Sequence, residues 1–184
     1  MVNLLKHNET YFWISVVTTT MSFCYFHGIV PVSEGHRVQT VRSNGGTVWH
    51  TIYDTTIPTE TDGDVDGIIR VYVPSNEPPL SSDSLVIING KFAMPLNPDT
   101  TKRTEFIMES INYYVFKADP SQPDYDSFLP SNNVPSLNLI GNVVGSVVHM
   151  GDNGKAVDVK VSNYVQNRTI ESIYRYAVAN LYLI

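Results

Sequence analysis

The residues best suited to chemistry in this chain are cations and aromatic rings, not nucleophiles. Arg37 and Arg42, with His36 beside them, fall in one long polar stretch, and Lys102 and Arg103 fall in another. Arg70 and Lys91 sit on apolar segments in between, and Trp49, Tyr53 and Tyr72 alternate with small and β-branched residues. Cations neutralise phosphates and exposed rings stack on bases, so the combination suits a groove for single-stranded nucleic acid, with Arg37, Arg42, Trp49, Tyr53, Tyr72, Lys91, Lys102 and Arg103 as its ligand-binding set. The plainer reading of the same residues is that charges collect in loops and strand aromatics belong to a barrel wall. A net charge of −6 favours that plainer reading and argues against a generally polyanion-binding surface, but leaves room for a local basic groove.

Two other chemistries can be weighed from spacing. Asp62-Gly63-Asp64-Val65-Asp66-Gly67-Ile68-Ile69 fits the first eight positions of a calcium loop, where acids at alternate positions turn inward on one hard cation. The bidentate Glu that should close such a loop is Val73, and the flanks read as strands, so an acidic, solvated hairpin loop is the better description. No metal site is assigned. For enzymatic work the histidines (His7, His27, His36, His50, His149) have no metal-ligand spacing, and no nucleophile elbow, phosphate loop or paired-cysteine motif occurs. No catalytic residue and no cofactor are expected. Cys24 is the only cysteine, which excludes an intrachain disulfide, and within Phe-Cys-Tyr-Phe it reads as a core residue.

The elements that must position these residues are strands. Charged residues make up 16% of the 184, and 42% are hydrophobic, with Tyr, Val, Thr and Ser plentiful, the profile of an all-β protein. Ser22–Val32, Thr47–Ile57, Gly67–Val73, Ser84–Phe92 and Glu105–Phe116 read as five strands from their alternation or short apolar runs. Ser33–Gly46 is expected as a long polar connection after the first strand and Pro95–Arg103 as a long loop before the last. Pro74–Asp83 is too rich in Pro and Ser for a helix. Five strands in this order suggest an OB-like, five-stranded Greek-key barrel, in which the two long loops flank a ligand face made by the second and third strands. The acidic stretch Glu60–Asp66 is then expected at the opposite end of the barrel. A β-sandwich is the structural alternative.

Residues 1–20 form an N-terminal extension with one spare strand-like stretch, Tyr11–Val17. Residues 21–118 hold the barrel and 119–135 a Pro/Ser/Asn/Asp-rich linker, after which the pattern restarts over residues 136–184. Ser136–His149 echoes the first strand, with Gly141 placed as Gly28 is. Gly154–Val165 and Thr169–Val178 echo the second and third strands, and the fourth and fifth have no counterpart. A partial second OB-like repeat of this kind exposes strand edges, which the spare N-terminal strand or another chain would cover. No run is long and apolar enough for a membrane span, and the N-terminus makes a poor signal peptide, which places the chain in cytoplasm or nucleus.

Phe26-His27-Gly28-Ile29-Val30 in the first copy, Ile140-Gly141-Asn142-Val143-Val144 in the second and the strand end Asn163-Tyr164-Val165 resemble a group of uncharacterised tandem OB-like proteins of mushroom-forming fungi. Val86-Ile87-Ile88-Asn89-Gly90-Lys91 is similar to the fourth strand of OB-folds of the replication-protein-A type. The resemblance implies an OB-type barrel and no catalytic residues. The resulting expectation is a non-enzymatic binding module with single-stranded nucleic acid as its ligand. The competing expectation is a protein-interaction or self-assembling β module that pairs through an open sheet edge.

Overall fold

Period-two burial defines the first long strand. From Cys24 to Val32 every second residue (Cys24, Phe26, Gly28, Val30, Val32) is buried, while its neighbours are partly or fully exposed. The structure, a computed structural model, describes residues 3–7, 10–14, 22–42, 44–58, 64–74, 76–82, 84–96, 104–116, 135–150 and 154–178, and no helix occurs among them. The strands in chain order are β1 (Asn3–His7), β2 (Thr10–Ile14), β3 (Phe23–Val41), β4 (Thr47–Pro58), β5 (Asp64–Tyr72), β6 (Ser84–Ala93), β7 (Phe106–Val115), β8 (Ser136–Ile140), β9 (Asn142–His149), β10 (Lys155–Val165) and β11 (Arg168–Val178).

β3 to β7 close a ring in the order β3-β4-β5-β7-β6 and back to β3. All of its pairings are antiparallel except β5 with β7, which is parallel. That is the OB-like barrel. Closure depends on the length of β3, whose 19 residues serve two partners. Tyr25–Val32 pair with Lys91–Ser84 of β6, and Ser33–Val41 pair with Asp54–Thr47 of β4. A bulge between Ser33 and His36, with Glu34 in the left-handed region at φ 43°, turns the strand from one partner to the other. Gly35 lies there because the Tyr53 ring occupies the space a side chain would need.

The stretch expected as a long polar connection is therefore mostly strand. Ser33–Val41 is polar because one of its faces is wet, yet its backbone must still find partners, and β4 supplies them. Only a short turn remains, closed by Arg42 N–H donating to Gly46 O at 2.7 Å and Gly45 N–H to Arg42 O at 2.9 Å.

The second expected departure lies at Gly141. Ser136–His149 is not one strand: β8 adds antiparallel to Phe23–His27, on the edge of β3 that β4 leaves free, while β9 pairs with β10 in a separate three-stranded sheet, β11-β10-β9. Gly141 marks the crossing, where Lys160 O and the Val159 and Val161 side chains leave no room for a Cβ. β2 lies parallel to β8 at Ile14 and Leu139, so the spare N-terminal strand does extend this sheet. β8 to β11 correspond to the partial second copy: β8 takes barrel strand β3 and β2 as neighbours, while β9, β10 and β11 form a sheet of their own.

The three-stranded sheet packs on the barrel through one apolar cluster that joins Val157, Val159, Val161 and Tyr174 to Cys24 and Phe92. Asn163 ties the two together polar-fashion, its Nδ2 donating to Cys24 O at 2.8 Å and Phe92 O at 3.1 Å. Cys24 is fully buried, and that burial pushes its thiol up to about 12, leaving it inert at neutral pH as expected of a core residue.

Candidate nucleic-acid interface

The turn between β3 and β4 and the facing end of β5 form an open cleft of about 240 Å³ lined by Arg42, Thr47, Val48, Trp49, Tyr72 and Val73. Local sequence builds it directly. His50 pairs with Tyr72 across β4 and β5 on the outer face, while Trp49 belongs to the alternate row with Thr51 and Tyr53 on the barrel-side face. The two rings therefore border the cleft from opposite faces of the strand ends. Trp49 is 36% exposed and Tyr72 56%, which leaves large ring areas open to solvent. Arg42 stands exposed at the turn that leads into β4. Of the expected ligand-binding residues, these three are brought together.

The others are not. Tyr53 is 1% exposed, and its hydroxyl accepts a hydrogen bond from Leu80 N–H at 2.8 Å, so it fills the barrel and fixes the segment before β6. It offers no stacking face. Arg37 lies on β3 opposite Thr51 and donates to the backbone carbonyls of Pro74 and Glu77. It straps the β5–β6 connection over the barrel end. Lys91 faces the three-stranded sheet, with its ammonium 5.6 Å from the Tyr164 ring centroid, a cation–π contact. Lys102 and Arg103 lie outside the described residues.

Arg70 is occupied as well. It is 6% exposed and ion-paired to Glu109, its neighbour in the parallel register of β5 and β7. Glu109 also accepts from Gln166 N–H at 3.0 Å, and Gln166 Nε2 donates to Met108 O at 3.1 Å. The β10–β11 turn therefore caps the outer surface of β5 and β7, on the same face of β5 as Tyr72. The sequence signals for this were a lone acid in the apolar run of β7 and a lone Arg in that of β5, each needing a buried partner.

His50 sits between the cap and the cleft, its ring 6.2 Å from that of Tyr72 in an edge-on arrangement. Burial holds its pKa below the ordinary value, and the charges of Arg70 and Arg42 add to this against a weaker pull from Glu109. His50 is thus neutral at pH 7, and its Nδ1, like Arg70 Nε, is buried without a protein partner.

The charge distribution differs from expectation in one respect. Glu105 N–H donates to Asp66 O at 2.9 Å, and Gly67 pairs with Phe106, so β5 and β7 start at the same end of the barrel. Asp64 and Asp66, the described acids of that stretch, therefore sit at the end where β7 starts, and the β3–β4 turn lies at the opposite end. Asp64 and Asp66 already belong to a strand, in register with Pro58 and Thr56, and Asp62 lies outside the described residues. Among the described residues no three acids, His or Cys group closely enough to hold a metal ion.

No family model matches the chain, and no curated relative does. Among solved structures it is similar to the wild-type single-stranded DNA binding protein from Thermus aquaticus, at 11% identity and a TM-score of 0.42, over 84% of this chain and 73% of that one. A deletion mutant of the same Thermus aquaticus protein aligns at 10% identity and a TM-score of 0.40, over 84% and 75%.

Proposed function

We propose that the chain is a non-enzymatic binding module that takes single-stranded nucleic acid across the cleft formed by Arg42, Trp49 and Tyr72. The observation that carries the reading is that two exposed rings, one from each face of the β4–β5 strand ends, and one exposed guanidinium border a single opening. A cleft of about 240 Å³ suits one or two unstacked bases and not a duplex, whose base faces are hidden. Stacking on Trp49 and Tyr72 supports binding without sequence preference, and Arg42 supplies a phosphate contact. Lys102 and Arg103 are further candidates for phosphate contact on their charge alone. Arg37, Lys91 and Tyr53 act structurally.

The test is fluorescence anisotropy of a labelled strand of about 30 nucleotides, long enough to span more than one OB-type site, at low and moderate salt. Micromolar or tighter binding that weakens as salt rises is expected. Trp49→Ala should weaken it by about fivefold to a hundredfold, the range for losing one base stack. Arg42→Glu should weaken it and flatten the salt dependence, and Tyr53→Phe should leave it unchanged. Absence of binding at low salt, where the electrostatic contribution is greatest, refutes the reading, as does unchanged binding by both Trp49→Ala and Arg42→Glu.

A further inference from the structure

β11 is an edge strand: β10 pairs along one side of it, and no described strand pairs along the other. The turn before it is a two-residue connection, Gln166 and Asn167, both in the left-handed region at φ 50° and 66°. Val165 and Arg168 close that turn, and in such a hairpin the closing pair exchanges both backbone hydrogen bonds, as does every second pair after it. By this alternation Ile170, Ser172, Tyr174 and Tyr176 bond inward to β10. Thr169, Glu171, Ile173, Arg175 and Ala177 direct their N–H and C=O groups outward. The strand is anchored from its other face, where Ser172 Oγ accepts from Met94 N–H at 3.0 Å, so the anchoring leaves the edge open.

The outward-bonding residues carry a self-complementary pattern. Glu171 and Arg175 flank Ile173 symmetrically, and Ile173 is 44% exposed. On the same face Lys160 Nζ lies 2.8 Å from Glu171 Oε1, and Arg175 Nε donates to Asp158 Oδ1 at 2.9 Å. A strand laid antiparallel on itself about Ile173 sets each Glu171 opposite the partner's Arg175. Each side of the axis then reads Asp158, Arg175, Glu171, Lys160 in strictly alternating charge, with the first pair from one copy and the second from the other. Edges are kept monomeric by charges, a proline or a bulge. Among its described residues this one carries no proline and no bulge, and its outward charges, Glu171 and Arg175, are of opposite sign and so match a second copy instead of repelling it.

We propose that a second copy of this chain adds its β11 to this edge, antiparallel and about a two-fold axis through Ile173, to join two three-stranded sheets into one of six. The interface rests on the order of ten backbone hydrogen bonds, one apolar contact and two charge pairs. Strand addition alone buries little surface, so the dimer is weak and concentration-dependent, and salt lowers its population. The inference does not depend on nucleic-acid binding.

The test places a thiol on the axis of the full-length chain. Ile173→Cys should cross-link to a dimer under mild oxidation, because directly opposed bonded residues stand about 5.5 Å apart at Cα, within disulfide reach. Thr169→Cys serves as the control. Its opposite residue is the partner's Ala177, so it should stay uncross-linked, and Cys24 is buried and does not compete. In sedimentation velocity, Glu171→Arg or Arg175→Glu alone should weaken dimerisation by about tenfold or more, since each sets like charges opposite one another twice. The double variant should regain wild-type association despite repelling Lys160 and Asp158 within its own chain. Equal cross-linking at positions 173 and 169, a monomer at every concentration, or a double variant no tighter than the singles would each overturn the proposal.

Discussion

A guanidinium buried as deeply as that of Arg70 requires a carboxylate, and Glu109 meets the requirement from the neighbouring strand while also holding the β10–β11 turn through Gln166 N–H. Burial on its own would raise the Glu109 pKa. The hydrogen bonds from Arg70 and Gln166, with the charges of Arg70 and Lys91, outweigh it and hold the carboxyl below its ordinary value. A group whose folded pKa is depressed contributes stability that is fully present above its unfolded pKa and is lost as pH falls through the folded one. Denaturant unfolding from pH 7 to pH 3 should therefore show the wild type losing stability below about pH 4.5 more steeply than Glu109→Gln, whose amide cannot titrate. Parallel pH profiles for the two proteins would refute this role. Asp158, held low by Arg175, acts in the same direction but is common to both proteins and cancels in the difference. Residue roles were the least legible part of the sequence. Residue type picked out Arg42, Trp49 and Tyr72, which border one cleft, together with Tyr53, which the barrel buries, and Arg37, which is bonded to loop carbonyls. Which side of a strand faces a lumen and which carbonyls come within reach are settled by pairing and not by residue type.

At the scale of elements, the strands were largely legible, since alternation and turn residues are local. Thr47–Pro58, Ser84–Ala93, Lys155–Val165 and Arg168–Val178 all begin and end close to where their patterns do. The misses are the length of β3 and the break at Gly141, both decided by partners far away in sequence. Gly67 shows how such a constraint appears as one residue: the Phe106 ring lies over it, and a Cβ there would stand 2.5 Å from ring carbons. Gly67→Ala should cost about 1–3 kcal/mol through overpacking and lower the melting temperature by roughly 2–12 °C. Gly145→Ala is the informative comparison. It meets nothing within 4 Å and suffers only from its φ of 76°, so its loss should be about 1–2 kcal/mol whatever the state of the barrel. If Gly67→Ala melts with the wild type, the Phe106 packing does not hold β5 against β7.

For the whole molecule, the repeat was legible as a pattern, and its consequence was not. A partial second copy reads as a separate appended unit, whereas β8 takes β3 as a neighbour and β10 buries its apolar face in the cluster that contains Cys24 and Phe92. An apolar cluster shared in this way has no seam along which the two parts can separate without exposing both. The expected behaviour is one cooperative unfolding transition for the described strands of both copies. Val161→Ala, at a fully buried position on β10, should lower the stability of the entire protein by about 1–3 kcal/mol and not melt the three-stranded sheet first. Trp49 reports from the barrel, so its fluorescence in a Trp13→Phe background and the far-UV circular dichroism of the whole chain should shift together in the variant. If the dichroism splits into an early phase that leaves Trp49 unmoved, the second copy is a separate folding unit and the shared cluster contributes little to holding it.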